Sequence, residues 1–373
     1  MASRPLTLGF DRYRPIAHLS LPSPCPCLSF PSPHPLRPPP NLRLRLLLLS
    51  SRRNQRPRFI AAANEGSDAV VSEAEPRQQL RKRVLFGVGI GVGAGGVVMA
   101  GGWVFTAALA AAVFAGAREY FELVRSRGIT AGMTPPPRFV SRACSVICAL
   151  MPVLTLCGHM GVSMTSSAFI VAMALILQRG NPRFAQLSST IFGLFYCGYL
   201  PCFWVKLRCG LAAPALNTKV GYTWPILLGG HAHWTVGLVA TLISISSIIA
   251  ADTCAFLGGK AFGQTPLTSL SPKKTLEGAA VGLGGCIITA IMLSKILSWP
   301  TSLLSASAFG VLNFIGSLFG DLIESMIKRD AGVKDSGSLI PGHGGILDRV
   351  DSYIFTGALA YSFVKTALPL FGV

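Results

Sequence analysis

A polar, glycine-rich stretch near the C-terminus, Ser325 to Asp351 (SMIKRDAGVKDSGSLIPGHGGILDRVD), concentrates the residues that could do chemistry. It carries Asp330, Asp335, Asp348 and Asp351 with Lys328, Arg329, Lys334 and Arg349, between two apolar segments. Ionisable groups beside a membrane are costly and mark functional sites by default. Asp321 and Glu324 lie just upstream, and their i, i+3 spacing puts both on one helix face beside Ser325 and Lys328. Asp348 and Asp351 repeat that spacing where apolar sequence resumes, so two helix ends presenting acids can meet across the loop. Carboxylate oxygens suit hard divalent cations, and Mg²⁺ is typically held by one or two carboxylates plus substrate phosphates. The alternative is that these acids form interfacial ion pairs with Lys328, Arg329 and Arg349.

A second set of features favours the phosphate-handling reading. Gly337, Gly342, Gly344 and Gly345 allow close backbone approach and can turn N–H groups towards an anion. Upstream, Gly258-Gly259-Lys260 and Ser271-Pro272-Lys273-Lys274-Thr275 add cations and hydroxyls. Lysines and glycine backbone beside carboxylates that can hold Mg²⁺ are the parts of phosphoryl or nucleotidyl transfer, where catalysis is mostly positioning and charge neutralisation. Asp252 interrupts the apolar run SISSIIAADTCAFLGG, which a solvated basic connector does not explain. Beyond residue 83 only ten acids occur, and eight of them lie at or after Asp252.

The elements that must position these groups are membrane helices. The chain is 51% hydrophobic and only 13% charged, too apolar for an ordinary soluble domain. Apolar windows recur near 84–101, 102–117, 139–157, 162–178, 184–205, 234–259, 276–297, 302–325 and 350–371, predicting an all-α polytopic membrane protein of about nine spans. On that count the connectors bearing Arg81 to Arg83, Arg125, Arg127, Arg138, Arg179, Arg183, Lys260, Lys273, Lys274 and Lys328 share one side, a positive-inside pattern. Gly91-Val-Gly93-Ala-Gly95-Gly96 satisfies GxGxxG but lacks the preceding strand and the later ribose-binding acid, so Gly87, Gly91 and Gly95 are expected to serve helix packing. The ten cysteines are scattered; those in apolar segments read as small buried hydrophobes.

The net charge of +18 does not point to nucleic acid, because residues 1–64 hold ten arginines against one acid and so supply half of it. This Arg-, Ser- and Pro-rich, acid-poor leader has the composition of an organellar transit peptide. It is expected to be disordered and to span 1–62, with cleavage near Ala61 to Asn64. A polar segment over 63–83 and a membrane-embedded domain over 84–373 follow. Ser, Pro and the Met-Ala-Ser start favour chloroplast, with the mitochondrial inner membrane as runner-up.

Ser325 to Asp351 resembles the signature of phosphatidate cytidylyltransferases (CDP-diacylglycerol synthases) at every fixed position. Asp252 to Lys260 and Ser271 to Gly278 resemble two further segments of that family, with departures at Phe256, Gln264 and Leu276. The resemblance covers roughly 83–373 and implies the reaction of CTP with phosphatidate to give CDP-diacylglycerol and pyrophosphate, with Mg²⁺ and one metal ion or two. It implies that Asp321 and Asp348 hold metal, with Asp351, Ser325 and Lys328 beside them in the catalytic centre. Asp252, Lys260, Ser271, Lys273, Lys274, Arg329, Lys334, Asp335, His343, Gly344, Gly345 and Arg349 are then expected to bind substrate. The expected setting is the chloroplast inner envelope with the site facing the stroma, for phosphatidylglycerol synthesis, with a homodimer as the assembly to test. Two other readings are a CTP-dependent lipid-alcohol kinase of the phytol kinase type and an ion-coupled transporter.

Overall fold

The computed structural model describes residues 87, 89, 91–130, 136–178, 183–215, 233–337 and 344–367. The leader, the polar segment at 63–83, His343 and the end of the last window lie outside the described residues. Helices α1 (Gly91–Ala100), α2 (Gly102–Thr130), α3 (Arg138–Leu156), α4 (Met160–Ile176) and α5 (Phe184–Gly210) come first. They are followed by α6 (Val236–Phe262), α7 (Leu276–Leu297), α8 (Leu303–Asp330) and α9 (Leu347–Ser362). The described residues contain two isolated β-bridges, Pro214 with Thr235 and Pro266 with Thr275, and the rest of their regular secondary structure is helical.

Six helices, α2, α3, α5, α6, α7 and α8, are long and apolar enough to cross a membrane, whereas α1 and α4 are shorter apolar helices. The nine windows of the sequence therefore yield six full-length candidates among the described residues. The window at 102–117 is the first part of a helix that runs on to Thr130, carrying Arg118, Glu119 and Glu122 past the apolar stretch. The window at 302–325 likewise continues to Asp330, so the acids of α8 lie on regular helix.

Local chemistry accounts for the ends. Thr235 and Thr275 accept hydrogen bonds from the N–H groups of Leu238 and Gly278 at 3.2 and 3.1 Å, satisfying orphan donors at the starts of α6 and α7. Helix α5 contains a π-helical turn over Leu194–Tyr199 just before Pro201, whose ring and missing N–H interrupt the regular ladder. Phe169, Ile170, Ile176, Ile249, Ile288 and Ile315 point outward, as lipid-facing side chains must.

The helices pack in two apolar clusters. One joins α2, α3 and α5 through Tyr120, Phe121, Cys144, Cys148, Met151 and Leu194; the other joins α5, α6 and α8 through Val205, Leu238, Ile243 and Phe309. Cys144, Cys148, Cys197, Cys202 and Cys286 are buried free thiols, whereas Cys157 is exposed. The glycines at 87, 91 and 95 do not mediate the expected packing: a Cβ at any of them meets open space. Close approach occurs instead at the α6–α7 and α8–α9 crossings. A Cβ on Gly320 would collide with the Asp351 carbonyl, so this glycine lets α8 and α9 bring their acids together.

Candidate active site

Asp321 and Glu324 sit one turn apart on α8, and Asp351 faces them from the first turns of α9. Their carboxylate oxygens lie within 4.8 Å of one another. Glu324 is fully buried and Asp351 is 7% exposed. Ser325 Oγ lies 3.4 Å from Asp321 Oδ1. Two lysines reach into this group from different elements. Lys274, at the foot of the α6–α7 connector, pairs with Asp321, and Lys328 Nζ lies 2.7 Å from Glu324 Oε2 and 2.7 Å from Asp348 Oδ1.

The Lys274 ammonium is placed by the connector's own hydrogen bonds. The Lys274 N–H donates to the Ser271 carbonyl at 3.0 Å, and its carbonyl accepts from Leu267 at 2.7 Å. Glu277 folds the connector back by accepting from the N–H groups of Gln264 and Thr265 and from the Thr265 hydroxyl. Burial lowers the Lys274 pKa from the ordinary lysine value, while Asp351 and Asp252 act to raise it.

Asp348 is engaged differently from the cluster. Oδ1 accepts from Lys328, and Oδ2 accepts from the N–H groups of Ser336 and Gly345 at 2.9 and 3.1 Å. It therefore ties the loop after α8 to the start of α9. Gly344 adopts φ +80°, in the left-handed region where glycine is favoured.

The residue that sequence reasoning missed is Glu119. It is 6% exposed on α2 and accepts three hydrogen bonds: Ser336 Oγ at 3.0 Å and the N–H groups of Ile346 and Leu347 at 3.0 and 2.9 Å. It thus caps α9 from a distant part of the chain, and a Cβ on Gly345 would strike its carboxylate. A signal existed, since Glu119 and Glu122 are the two acids between residue 84 and Asp252. The partners, more than 200 positions away, gave none.

Beside the acids lies a cavity of about 480 Å³ between α6, α7 and α8. Asp252, Lys260, Lys273, Lys274 and Asp321 line its polar side, and Phe256, Leu267, Phe314 and Leu318 its apolar side. Of the other expected substrate contacts, Arg329 Nε donates to the Leu270 carbonyl at 3.3 Å, and Lys334, Asp335 and Arg349 are exposed outside the cavity lining.

Three carboxylates converging within 4.8 Å form an all-oxygen donor set of the kind that hard divalent cations occupy. The fit is supported by Glu324, whose two buried oxygens have no directional hydrogen bond, with only Oε2 in an ion pair, to Lys328. Beside it, the cavity joins cations to an apolar wall, an arrangement able to hold a polyphosphate and a lipid together.

Comparison with known proteins agrees with this chemistry. The sequence profile of the cytidylyltransferase family matches residues 81–367. Phosphatidate cytidylyltransferase 4, chloroplastic, of Arabidopsis thaliana is 75% identical over 305 residues, covering 82% of this chain and 78% of its own. A phosphatidate cytidylyltransferase of Synechocystis is 40% identical over 282 residues, covering 74% of this chain and 92% of its own.

Proposed function

We propose that this chain, which belongs to the cytidylyltransferase family, makes CDP-diacylglycerol and pyrophosphate from CTP and phosphatidate in a chloroplast membrane. The observation that carries the mechanism is the Asp321–Glu324–Asp351 cluster at the wall of a cavity that is cationic on one side and apolar on the other. Lys260, Lys273 and Lys274 draw the triphosphate into the cavity, and Phe256, Leu267, Phe314 and Leu318 receive the glycerolipid. A phosphate oxygen of phosphatidate attacks the α-phosphorus of CTP. The bond from that phosphorus to the α,β-bridging oxygen breaks, and pyrophosphate leaves with the electron pair. Phosphatidate is already an anion, so the site needs charge neutralisation and alignment more than a strong base.

Asp321 and Asp348 are the proposed metal carboxylates, with Mg²⁺ as the ion and Asp351 and Glu324 completing the oxygen-rich wall for one ion or two. A bound divalent ion supplies charge neutralisation to the phosphate oxygens. In this reading Lys328, which lies between Glu324 and Asp348, would offset the carboxylate charge and offer its ammonium to a substrate phosphate. Ser325 orients Asp321, and the remaining expected substrate contacts, Asp252, Ser271, Arg329, Lys334, Asp335, His343, Gly344, Gly345 and Arg349, shape or approach the site. We further propose nine membrane passages, a cleaved leader over 1–62, and a site facing the stroma across the inner envelope. The convergence of α2, the α6–α7 connector and the α8–α9 loop at one end of the fold supports one shared side for these segments.

Membranes carrying residues 65–373, given labelled CTP, Mg²⁺ and either phosphatidate or phytol, test the reaction. CDP-diacylglycerol formed with phosphatidate, and absent in an Asp348→Asn control, is the expected result. Phosphorylated phytol with release of CDP would overturn it in favour of a lipid-alcohol kinase.

A further inference from the structure

A second charged cavity lies between α2 and α3, about 690 Å³ in volume and sharing no lining residue with the cavity beside the acids. Among the described residues, Arg118, Arg125, Arg138 and Arg142 line it with a single acid, Glu122, so these side chains sum to four positive and one negative charge, a net +3. Positions 118, 122 and 125 fall on one face of α2, and 138 and 142 on one face of α3. Arg125 Nη2 donates to Ser141 Oγ at 3.2 Å, joining the two helices across the cavity. Glu122 does not cancel this field. It lies 3.6 Å from Arg118, with both side chains more than 60% exposed, and such pairs are weak.

The surroundings discriminate among anions. Helix α2 runs towards this end of the fold and α3 runs away from it, so Phe114, one turn before Arg118, and Val146, one turn after Arg142, both lie on the membrane side of the arginines. Both line the cavity and are 37% and 50% exposed, with Leu150 a further turn inward at 51%. The order is therefore a guanidinium cluster at the helix ends above an outward-facing apolar wall. A soluble anion uses only the cluster. A phospholipid uses both, its phosphate on the arginines and its chains along the wall.

We propose that this cavity binds the headgroup of an anionic glycerophospholipid, at a site separate from the catalytic cavity. Guanidinium groups stay charged at all physiological pH and match phosphate oxygens in a bidentate fork. Basic pockets between membrane helices are suited to anionic headgroups, each cation near the surface contributing about 1 kcal/mol. Arg118 also adjoins Glu119, which points to the other face of α2 and caps α9, so a lipid held here braces the helix that supports the catalytic loop.

The test uses the full chain reconstituted in phosphatidylcholine vesicles with spin-labelled phosphatidylglycerol, a lipid that is not the substrate. Selective retention of the labelled lipid over labelled phosphatidylcholine is expected for the native chain and for Asp321→Asn. It should fall about thirtyfold in Arg118→Gln/Arg142→Gln, the worth of two headgroup charges, and recover in part in Arg118→Lys/Arg142→Lys. Unchanged retention in the glutamine variant overturns the proposal. Displacement by inorganic phosphate at matched phosphorus would also overturn it, making this a soluble-anion site. So would disulfide cross-linking of Arg118→Cys in one copy to Arg142→Cys in another, which would make it a subunit interface. If the glutamine variant does not reconstitute, a photoreactive phosphatidylglycerol on the native chain decides: adducts on peptides containing Phe114 or Val146 support the site, and adducts confined to other helices refute it.

Discussion

Two buried glutamates near the same helix ends have opposite surroundings. Glu119 accepts hydrogen bonds from Ser336, Ile346 and Leu347, all from the segment it holds. Glu324 is packed against Asp321 and Asp351 and meets one ammonium, Lys328, without a directional hydrogen bond. A buried carboxylate whose lone pairs are taken up by N–H and O–H donors is settled and positions structure. One crowded by other carboxylates is poised for an added cation, because like charges in a dry site are costly unless a cation is added or a proton is retained. The first kind of site builds the frame, and the second is left for ligands.

The contrast breaks first at the proposed metal carboxylates. Asp321→Asn and Asp348→Asn are expected to lower turnover on the order of 100-fold or more, the scale for removing charge stabilisation from a transferring phosphoryl group. Protein recovered from the membrane fraction should be unchanged, and near-normal activity in either variant would refute the metal assignment. Glu119→Gln comes next. It turns an amide N–H₂ towards donors, and is expected to cost about 1–3 kcal/mol of stability and to lower kcat by about tenfold while leaving the KM for CTP nearly intact. If KM rises instead, Glu119 acts on the nucleotide and not through α9.

Lys274→Met should raise the KM for CTP by about tenfold, the worth of one charged hydrogen bond, with Lys274→Arg recovering part of it. Gly320→Ala should destabilise the fold by about 1–3 kcal/mol, because the added methyl has no room at the α8–α9 crossing. Thermal unfolding in detergent reads that loss. At the small end, Gly91→Ala and Gly95→Ala should shift stability by less than about 1 kcal/mol, since the methyls enter open space. A loss as large as that at Gly320 would show that another copy of the chain packs there.

Much of the catalytic half was legible in the sequence because its signals are local. The i, i+3 spacing of Asp321 with Glu324 and of Asp348 with Asp351 follows from helix geometry alone, and the structure brings Asp321, Glu324 and Asp351 together as that spacing suggests. The charge of Lys274 is plain in Ser271-Pro272-Lys273-Lys274, but its aim at Asp321 depends on hydrogen bonds between Leu267 and Lys274 and between Glu277 and Thr265. The glycines of α1 misled because spacing shows that a helix has a narrow face, and says nothing of whether another helix lies against it.

The sequence by itself determined the apolar helical class, the family signature and the C-terminal clustering of the acids, since apolar windows, acid spacing and a signature are properties of neighbouring residues. Only the tertiary structure decided that Glu119 caps α9, that Asp348 is held by Lys328 and two loop N–H groups, and that arginines of α2 and α3 converge on one cavity. Those contacts join segments distant in the chain, and which of them form depends on how whole helices cross, a choice set by the packed ensemble of side chains.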